Sequence, residues 1–184
     1  MISYTTGRNK KEVEQEVLCY FLDAYKDVTG KELEIFDITE RPDFICIDID
    51  NGSKIGVELV KIRRGHPDVF LWDRIIEKKE FMSINDALEM IQEVSYEKEK
   101  KRREPNWKLA DVCMLLIELW DIPLAEIWTS ITPEMLPDLY STGFVEIWIA
   151  DFTGLEAYDN VELFCVYPAQ WSGYHLRGFQ KPYG

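Results

Sequence analysis

The sequence predicts an α/β protein with a mixed central sheet flanked by helices. The predicted order of elements is a helix, three strands, helices, a strand, a helix and two further strands. An Asn-Gly pair at residues 51 and 52 separates two apolar segments and indicates a β-hairpin, because both residues tolerate the positive φ of a tight turn. Both faces of this hairpin are largely apolar, which favours internal strands covered by helices on both sides.

Length and composition predict one domain. The chain of 184 residues is long enough for a sizeable core, and an apolar content of 46% excludes disorder. The predicted domain spans residues 1–184, with a core at about residues 10–121 and a C-terminal extension at about residues 122–184. No apolar run reaches the roughly 18 residues of a membrane span, and the start lacks the pattern of a signal peptide. We therefore expect a cytoplasmic protein with no membrane partner.

Net charge and cysteine usage limit the classes of partner and cofactor. The net charge of −13 is adverse to nucleic-acid binding, which depends on Lys and Arg, although a local basic cluster can overcome it. No C-x-x-C motif occurs, so buried reduced thiols are favoured over a zinc site. The four cysteines are Cys19, Cys46, Cys113 and Cys165.

A first helix is predicted at about residues 10–26, ending at Thr29 and Gly30. Its predicted inner stripe is bordered by Glu16, for which two interpretations remain open. The Glu16 carboxylate either stabilises the helix by interacting with the positive N-terminal end of its dipole, or it reaches the acids of the following hairpin. A strand at residues 33–38 follows.

The hairpin carries two acids. If Asn51 and Gly52 form the centre of a two-residue turn, Asp43 lies opposite Val60. Because side chains alternate along strands, Asp43 and Glu58 then become diagonal neighbours on one face, roughly 7–8 Å apart at Cα.

Two acids on an otherwise apolar face repel each other unless a cation or a proton lies between them. The pair Asp43 and Glu58 therefore predicts a divalent-metal site. The alternative is that Asp43 is a turn residue after Pro42 and that Glu58 lies at an exposed sheet edge.

A basic cluster follows the strand that carries Glu58. Lys61, Arg63 and Arg64 would lie at the end of this strand, where they could hold a nucleic-acid phosphate. Ordinary solvated charges are the alternative interpretation.

A longer helix is predicted after a short amphipathic one at residues 67–81, with Ser83 or Asn85 as its N-cap. Its inner stripe changes from apolar to basic along the helix and directs Lys98 and Lys101 along the edge that packs on the sheet. The alternative is that these lysines are solvated and stabilise the C-terminal end of the helix through its dipole.

The remaining chain predicts strands at residues 112–119, 144–151 and 161–167, with a partly helical segment at residues 123–140. The tail from Ala169 is rich in Trp, Tyr and Gly. We expect it to pack across the body or against a second copy in a homodimer.

This element order, with Pro42-Asp43 opening the second strand and Glu58 in the third, resembles the PD-(D/E)XK nuclease superfamily and its small divergent members. The resemblance covers residues 10–121. It implies a restriction-endonuclease-like αβββαβ core with extra C-terminal strands. It also implies that Asp43 and Glu58 bind Mg²⁺ or Mn²⁺, and it allows Glu16 as a further metal ligand.

One residue departs from this family pattern. Val60 occupies the position of the catalytic lysine, and Lys61 would point to the opposite face unless a bulge intervenes. Some members supply the lysine from a helix, so the resemblance implies that Lys98, with Lys101 behind it, takes this role.

The first functional hypothesis is hydrolysis of phosphodiester bonds in DNA or RNA by a carboxylate-bound Mg²⁺. Carboxylate oxygens are the ligands that Mg²⁺ prefers, and the ion lowers the pKa of its bound water. The second hypothesis is a catalytically degenerate nuclease-fold protein that acts as a binding or assembly module. Val60 and the net charge of −13 favour this alternative. A serine hydrolase lacks support, because no Gly-x-Ser-x-Gly motif occurs.

Overall fold

A computed structural model describes residues 9–62, 83–104, 110, 112–131, 143–155 and 161–175. These residues form a mixed seven-stranded sheet with helices packed on both faces, which confirms the predicted α/β class. The elements are α1 (Lys10–Thr29), β1 (Leu33–Ile38), β2 (Phe44–Asp48), β3 (Lys54–Ile62), α2 (Ile84–Arg102), β4 (Val112–Leu119), α3 (Leu124–Ile127), a 3-10 turn (Trp128–Ser130), β5 (Glu146–Asp151), β6 (Glu162–Tyr167) and β7 (Gly173–His175).

The order of strands in the sheet follows their order in the chain. Strands β3, β4 and β5 are parallel, and the other neighbouring pairs are antiparallel. The carboxyl ends of β3, β4 and β5 therefore meet at one edge of the sheet, which is where open α/β sheets place their ligands. The strands of the predicted C-terminal extension pair into this same sheet. That the chain forms a single domain stays a prediction.

Two apolar clusters cover the two faces of the sheet. On the α1 side, Phe21 and Tyr25 of the helix pack against Trp148 of β5, and all three are fully buried. On the α2 side, Ile91 packs with Leu115 and Ile117 of β4. Both faces of the central strands are thus buried, as their continuous apolar runs predict.

The ends of α1 and α2 follow local capping chemistry. Asn9 accepts a hydrogen bond from the Lys11 amide and forms a capping box with Glu12. Gly30 ends α1 at φ 73°, in the left-handed region that favours glycine. Ser83 is the N-cap of α2, as predicted. Helix α1 extends three residues beyond the predicted residue 26.

The predicted two-residue hairpin turn is wrong. Asp48 and Ser53 close a turn of four residues, in which Gly52 has φ 72° and its amide donates to the Asp48 carbonyl at 2.7 Å. The Asp48 carboxylate accepts from the Asp50 amide and from Asn51 Nδ2. These side-chain bonds stabilise the longer turn, which the Asn-Gly pair alone does not reveal.

This turn shifts the register of the hairpin. Phe44 pairs with Val57, so the preceding residue, Asp43, lies beside Glu58 and not opposite Val60. The predicted diagonal arrangement is therefore wrong. A shift of two residues conserves the face on which a strand side chain lies, so the two acids still converge.

Several predicted features lie outside the described residues. These are the short helix at residues 67–81 and residues 132–140 of the partly helical segment. Strand β5 begins at Glu146 and β6 at Glu162, later than predicted by two residues and by one residue. Among the described helices, none combines the length and the hydropathy required to cross a membrane.

Candidate functional site

Asp43 and Glu58 each accept a hydrogen bond from a backbone amide of the hairpin at the point where β2 begins. The Asp43 amide donates to Glu58 Oε2 at 3.2 Å, and the Leu59 amide donates to Asp43 Oδ2 at 2.9 Å. Strand β2 begins only at Phe44, so the backbone of β2 offers no acceptor to the Leu59 amide of β3. The Asp43 carboxylate supplies that acceptor instead. Asp43 therefore has a structural role at the edge of the hairpin.

Each acid is paired with a lysine from a different helix. The Lys98 ammonium of α2 donates to Glu58 Oε1. The Lys11 ammonium of α1 lies 3.1 Å from Asp43 Oδ1 and 3.0 Å from the Thr39 carbonyl oxygen. The Glu58 side chain is 5% exposed and that of Lys98 is 17% exposed, so this pair is largely removed from water. The two helices thus meet the same hairpin from opposite faces of the sheet.

The pKa of the Glu58 carboxyl is raised above its ordinary value. Burial is the largest cause, and the negative charge of Asp43 acts in the same direction. The Lys98 ammonium and the Asp43 amide lower this pKa and oppose the shift. Glu58 therefore depends on Lys98 to remain ionised in its buried position.

The donors around the two acids do not fit a resident divalent cation. All four carboxylate oxygens of Asp43 and Glu58 accept from protein groups: two ammonium groups and two backbone amides. Within the described ranges, no group of three or more His, Cys, Asp or Glu residues could hold a metal. The ammonium groups already compensate the charge that a metal would offset. Binding of Mg²⁺ or Mn²⁺ stays a prediction of the sequence alone.

Glu14 of α1 lies beside Lys11, the lysine that pairs with Asp43. Its Oε2 atom lies 3.3 Å from Lys11 Nζ and is buried without hydrogen-bond geometry. Glu16, the predicted third metal ligand, does not line the cavity described below. The sequence held a signal for the position of Glu14. Residues three, four and seven positions apart share a helix face, so Lys11, Glu14 and Leu18 lie on one face of α1. Leu18 is fully buried, which identifies that face as the one packed on the sheet.

A cavity of about 360 Å³ opens beside the paired acids. Among the described residues, its lining combines five cationic side chains, three acidic ones and an asparagine, with no apolar residue. The sequence-predicted residues Asp43, Glu58, Lys98 and Lys101 all line this cavity, although the catalytic and metal-binding roles predicted for them stay untested. The described residues of the lining are Asn9, Lys10, Lys11, Glu40, Arg41, Asp43, Glu58, Lys98 and Lys101.

Lys61 lies away from this cavity, on the α1 side of the sheet. Its Nζ is 3.9 Å from Glu118 Oε2 and 4.2 Å from the centroid of the Trp120 ring. Strand alternation predicted that Lys61 and Glu58 lie on opposite faces. Arg63 and Arg64, predicted with Lys61 to bind nucleic acid, lie outside the described residues.

Removing the Asp43 carboxylate is expected to destabilise the hairpin edge. Asp43→Ala should lower the free energy of unfolding by about 2 kcal/mol, since the Leu59 amide and the Lys11 ammonium lose a charged acceptor. Asp43→Asn should cost less, because its amide oxygen can still accept from Leu59. Urea unfolding measures both variants, with Asp50→Ala in the exposed turn as the control. A loss equal to that of the control would contradict this role.

The comparisons with known proteins find similar solved structures but no family. Neither a family model nor a curated protein matches the chain. The search of solved structures finds a protein of unknown function from Pseudomonas aeruginosa strain PAO1, described as belonging to the Monooxygenase Superfamily. The two share 11% sequence identity at a TM-score of 0.48, and the match covers 91% of this chain and 77% of that one. A likeness at this level assigns no activity to the chain.

These findings correct the predicted family and function. The fold named in the comparison differs from PD-(D/E)XK, and the restriction-endonuclease-like core is not confirmed. The predictions of a nuclease and of phosphodiester hydrolysis in DNA or RNA are therefore wrong. Nothing supports DNA binding, and the degenerate-nuclease alternative gains no support. The physical reason lies in the site, where Asp43 and Glu58 are bound to lysines and amides.

Proposed function

We propose that this protein binds a small organic anion in the cavity beside Asp43 and Glu58. The observation that carries the proposal is the gathering of five cationic side chains around one cavity, in a chain whose net charge is −13. Elsewhere in the chain, acids outnumber bases by a wide margin. A local excess of positive charge in a concave site attracts anions over cations.

Two lysines of α2 have donors to offer a ligand. Among the described residues, Lys98 has Glu58 as its single side-chain acceptor, and the Lys101 ammonium has no ion pair. An ammonium group carries three N–H donors, so both retain hydrogen-bonding capacity. Lys98 and Lys101 are three residues apart and therefore lie on the same side of α2. Together they form the centre of the proposed anion site.

Lys11 contributes charge and not free donors. Its ammonium lies near three acceptors, which are the Thr39 carbonyl, Asp43 Oδ1 and Glu14 Oε2. Glu58 similarly holds the Lys98 ammonium before a ligand arrives. Side chains fixed in this way lose less entropy on binding, which increases affinity. In this proposal, the two acids predicted as metal ligands position the lysines.

The size and the lining of the cavity restrict the ligand class. A volume of about 360 Å³ lies at the lower end of the range of roughly 300–1,000 Å³ for small-molecule sites. The part of the lining that the structure describes holds no apolar residue, which disfavours lipids and other hydrophobic ligands. The first residues of α1, Lys10 and Lys11, belong to the lining, so the positive end of this helix dipole adds to the attraction of anions.

Calorimetric titration at low salt tests the proposal with three probes of similar size: glycerol phosphate, glycerate and glycerol. We expect both anions to bind and the uncharged glycerol not to bind. Lys101→Gln should weaken anion binding about tenfold, because a charge-assisted hydrogen bond contributes about 1.5 kcal/mol. Lys100→Gln is the matched control, since Lys100 is exposed on the same helix and does not line the cavity.

Three results would each overturn the proposal. One is that neither anion binds. Another is that glycerol binds as tightly as glycerate, which would remove any role for charge. The third is an equal loss of affinity in Lys101→Gln and Lys100→Gln, which would indicate non-specific attraction to the basic end of α2. Thermal unfolding of both variants verifies that each remains folded.

A further inference from the structure

We infer that the organic anion bound in this cavity also carries an ammonium group, as amino acids do. This inference rests on the proposed anion-binding function and names the chemical class of its ligand. The residue that would receive the ammonium group is Glu40, which lies between β1 and β2 and lines the cavity.

The three acids of the lining differ in the partners of their carboxylates. Asp43 and Glu58 each accept from a lysine and from a backbone amide. Within the described ranges, the Glu40 carboxylate has neither an ion pair nor a hydrogen bond, although cationic side chains line the same cavity. Of these three acids, Glu40 is therefore the one whose acceptors remain available to a ligand.

Both neighbours of Glu40 in the chain are anchored to other elements. The Thr39 carbonyl accepts from the Lys11 ammonium of α1 at 3.0 Å. Arg41 pairs with Glu104, two residues beyond the end of α2. These contacts restrict the backbone on both sides of Glu40. A carboxylate restricted in this way loses less entropy on binding a ligand than one on an unanchored loop.

The donors of the cavity lie on the helix to which this loop is joined. Lys98 and Lys101 of α2 line the cavity, and the pair of Arg41 and Glu104 connects the end of α2 to the loop of Glu40. In a cavity of about 360 Å³, one small ligand can contact both the helix and the loop. Such a ligand would place an anionic group at Lys101 and a cationic group at Glu40.

An ammonium group suits Glu40 better than a hydroxyl group does. It offers three N–H donors where a hydroxyl offers one, and hydrogen bonds between charged groups are roughly twice as strong as neutral ones. Glu40 is exposed, so water screens part of this attraction, and the neighbouring lysines weaken it further. The preference for a ligand with an ammonium group is therefore expected to be modest.

The test compares serine, glycerate and serinol by calorimetric titration of the full chain at pH 7 and low salt. Glycerate has a hydroxyl group in place of the ammonium group of serine, and serinol has a hydroxymethyl group in place of its carboxylate. We expect serine to bind about fivefold more tightly than glycerate, as befits a partly screened ion pair. Serinol should not bind, because it lacks the anionic group.

Glu40→Gln should abolish the preference for serine, because glutamine retains the size of the side chain and loses its charge. Glu34→Gln is the matched control, since Glu34 is exposed in β1 and does not line the cavity. This control should retain the preference. Lys101→Gln should weaken serine and glycerate alike, because both present a carboxylate. Thermal unfolding verifies that each variant remains folded.

The possible results separate this inference from the function on which it rests. Equal affinities for serine and glycerate, or tighter binding of glycerate, would overturn the inference and leave the anion-binding function intact. A preference for serine that persists in Glu40→Gln would show that the ammonium group lies elsewhere, and would contradict the inference. Serinol binding as tightly as serine would overturn both proposals, because the carboxylate would then contribute nothing. Absence of binding by serine, glycerate and glycerol phosphate would also overturn both.

Discussion

Lys98→Met is expected to lower the free energy of unfolding by about 3 kcal/mol at pH 8, because it leaves a buried carboxylate without its cation. Lys98 and Glu58 are paired across α2 and β3, and only 5% of the Glu58 side chain is exposed. The methionine replaces most of the aliphatic stem, so the loss reports mainly on the unpaired charge. Urea unfolding at pH 8 measures the effect.

The pH dependence of this loss has a defined sign. The folded-state pKa of Glu58 lies above its ordinary value of 4.5, so the folded state binds this proton more tightly than the unfolded state. The contribution of Glu58 to stability therefore decreases across the pH window that runs from 4.5 up through the folded-state pKa. Lys98 lowers the Glu58 pKa, so Lys98→Met raises that pKa and extends the window upward. We expect the deficit of Lys98→Met to be largest at pH 8 and to shrink toward pH 5.

A double-mutant cycle with Glu58→Gln provides the control. In the Glu58→Gln background, Lys98→Met should cost much less, because no buried charge is left unpaired. Equal losses in the two backgrounds would show that the aliphatic stem of Lys98, and not its charge, stabilises the fold. A deficit that does not change between pH 8 and pH 5 would contradict the assigned role of Glu58.

Trp148→Ala is expected to lower the free energy of unfolding by about 4 kcal/mol. Trp148 is fully buried, and its ring centroid lies 5.5 Å from that of Tyr25 and 6.4 Å from that of Phe21. Its Nε1 also donates to Glu146 Oε2 at 2.8 Å. The substitution therefore opens a large cavity between α1 and β5 and removes a hydrogen bond from a buried carboxylate.

Trp128→Ala is the matched control for this core substitution. Trp128 is 39% exposed and stacks on Tyr174 with ring centroids 5.6 Å apart. Losing this contact should cost about 1 kcal/mol. Calorimetric melting compares the two variants, and similar losses would contradict the placement of the α1 side of the core. Trp148 does not line the cavity, so folded Trp148→Ala should retain anion binding.

Much of the secondary structure could be predicted because its signals are local. Leu33–Ile38 and Val112–Leu119 agree with their predicted bounds, since alternation and a continuous apolar run identify strands directly. Gly30 and Ser83 mark helix ends through capping chemistry that acts within one turn. The hairpin was predicted, but the length of its turn was not. The Asp48 carboxylate selects the longer turn through bonds to Asp50 and Asn51.

The candidate site was predicted in part. Strand alternation and the basic end of the α2 stripe correctly brought Asp43 and Glu58 together with Lys98 and Lys101. Glu16 does not line the cavity, whereas Glu14 of the same helix pairs with Lys11, and the role predicted for Glu16 stays a prediction. The rotation of a helix on a sheet depends on the packing of its whole face, which the sequence does not fix. The nuclease resemblance rested on short motifs, and motifs of that length occur without the function they suggest.

The sequence by itself determined the α/β class, the ends of α1 and α2 and the strands of the central sheet. These features follow from periodicity and capping, which act over a few residues. The tertiary structure alone decided that Lys98 pairs with Glu58 and that Lys11 bridges Asp43 and Glu14. The pairs Lys11–Asp43 and Lys98–Glu58 join residues 32 and 40 positions apart, whereas Lys11 and Glu14 form a local pair within α1. Their formation depends on how α1 and α2 pack on opposite faces of one hairpin, and that packing places a lysine against each of the two acids for which metal binding stays a prediction.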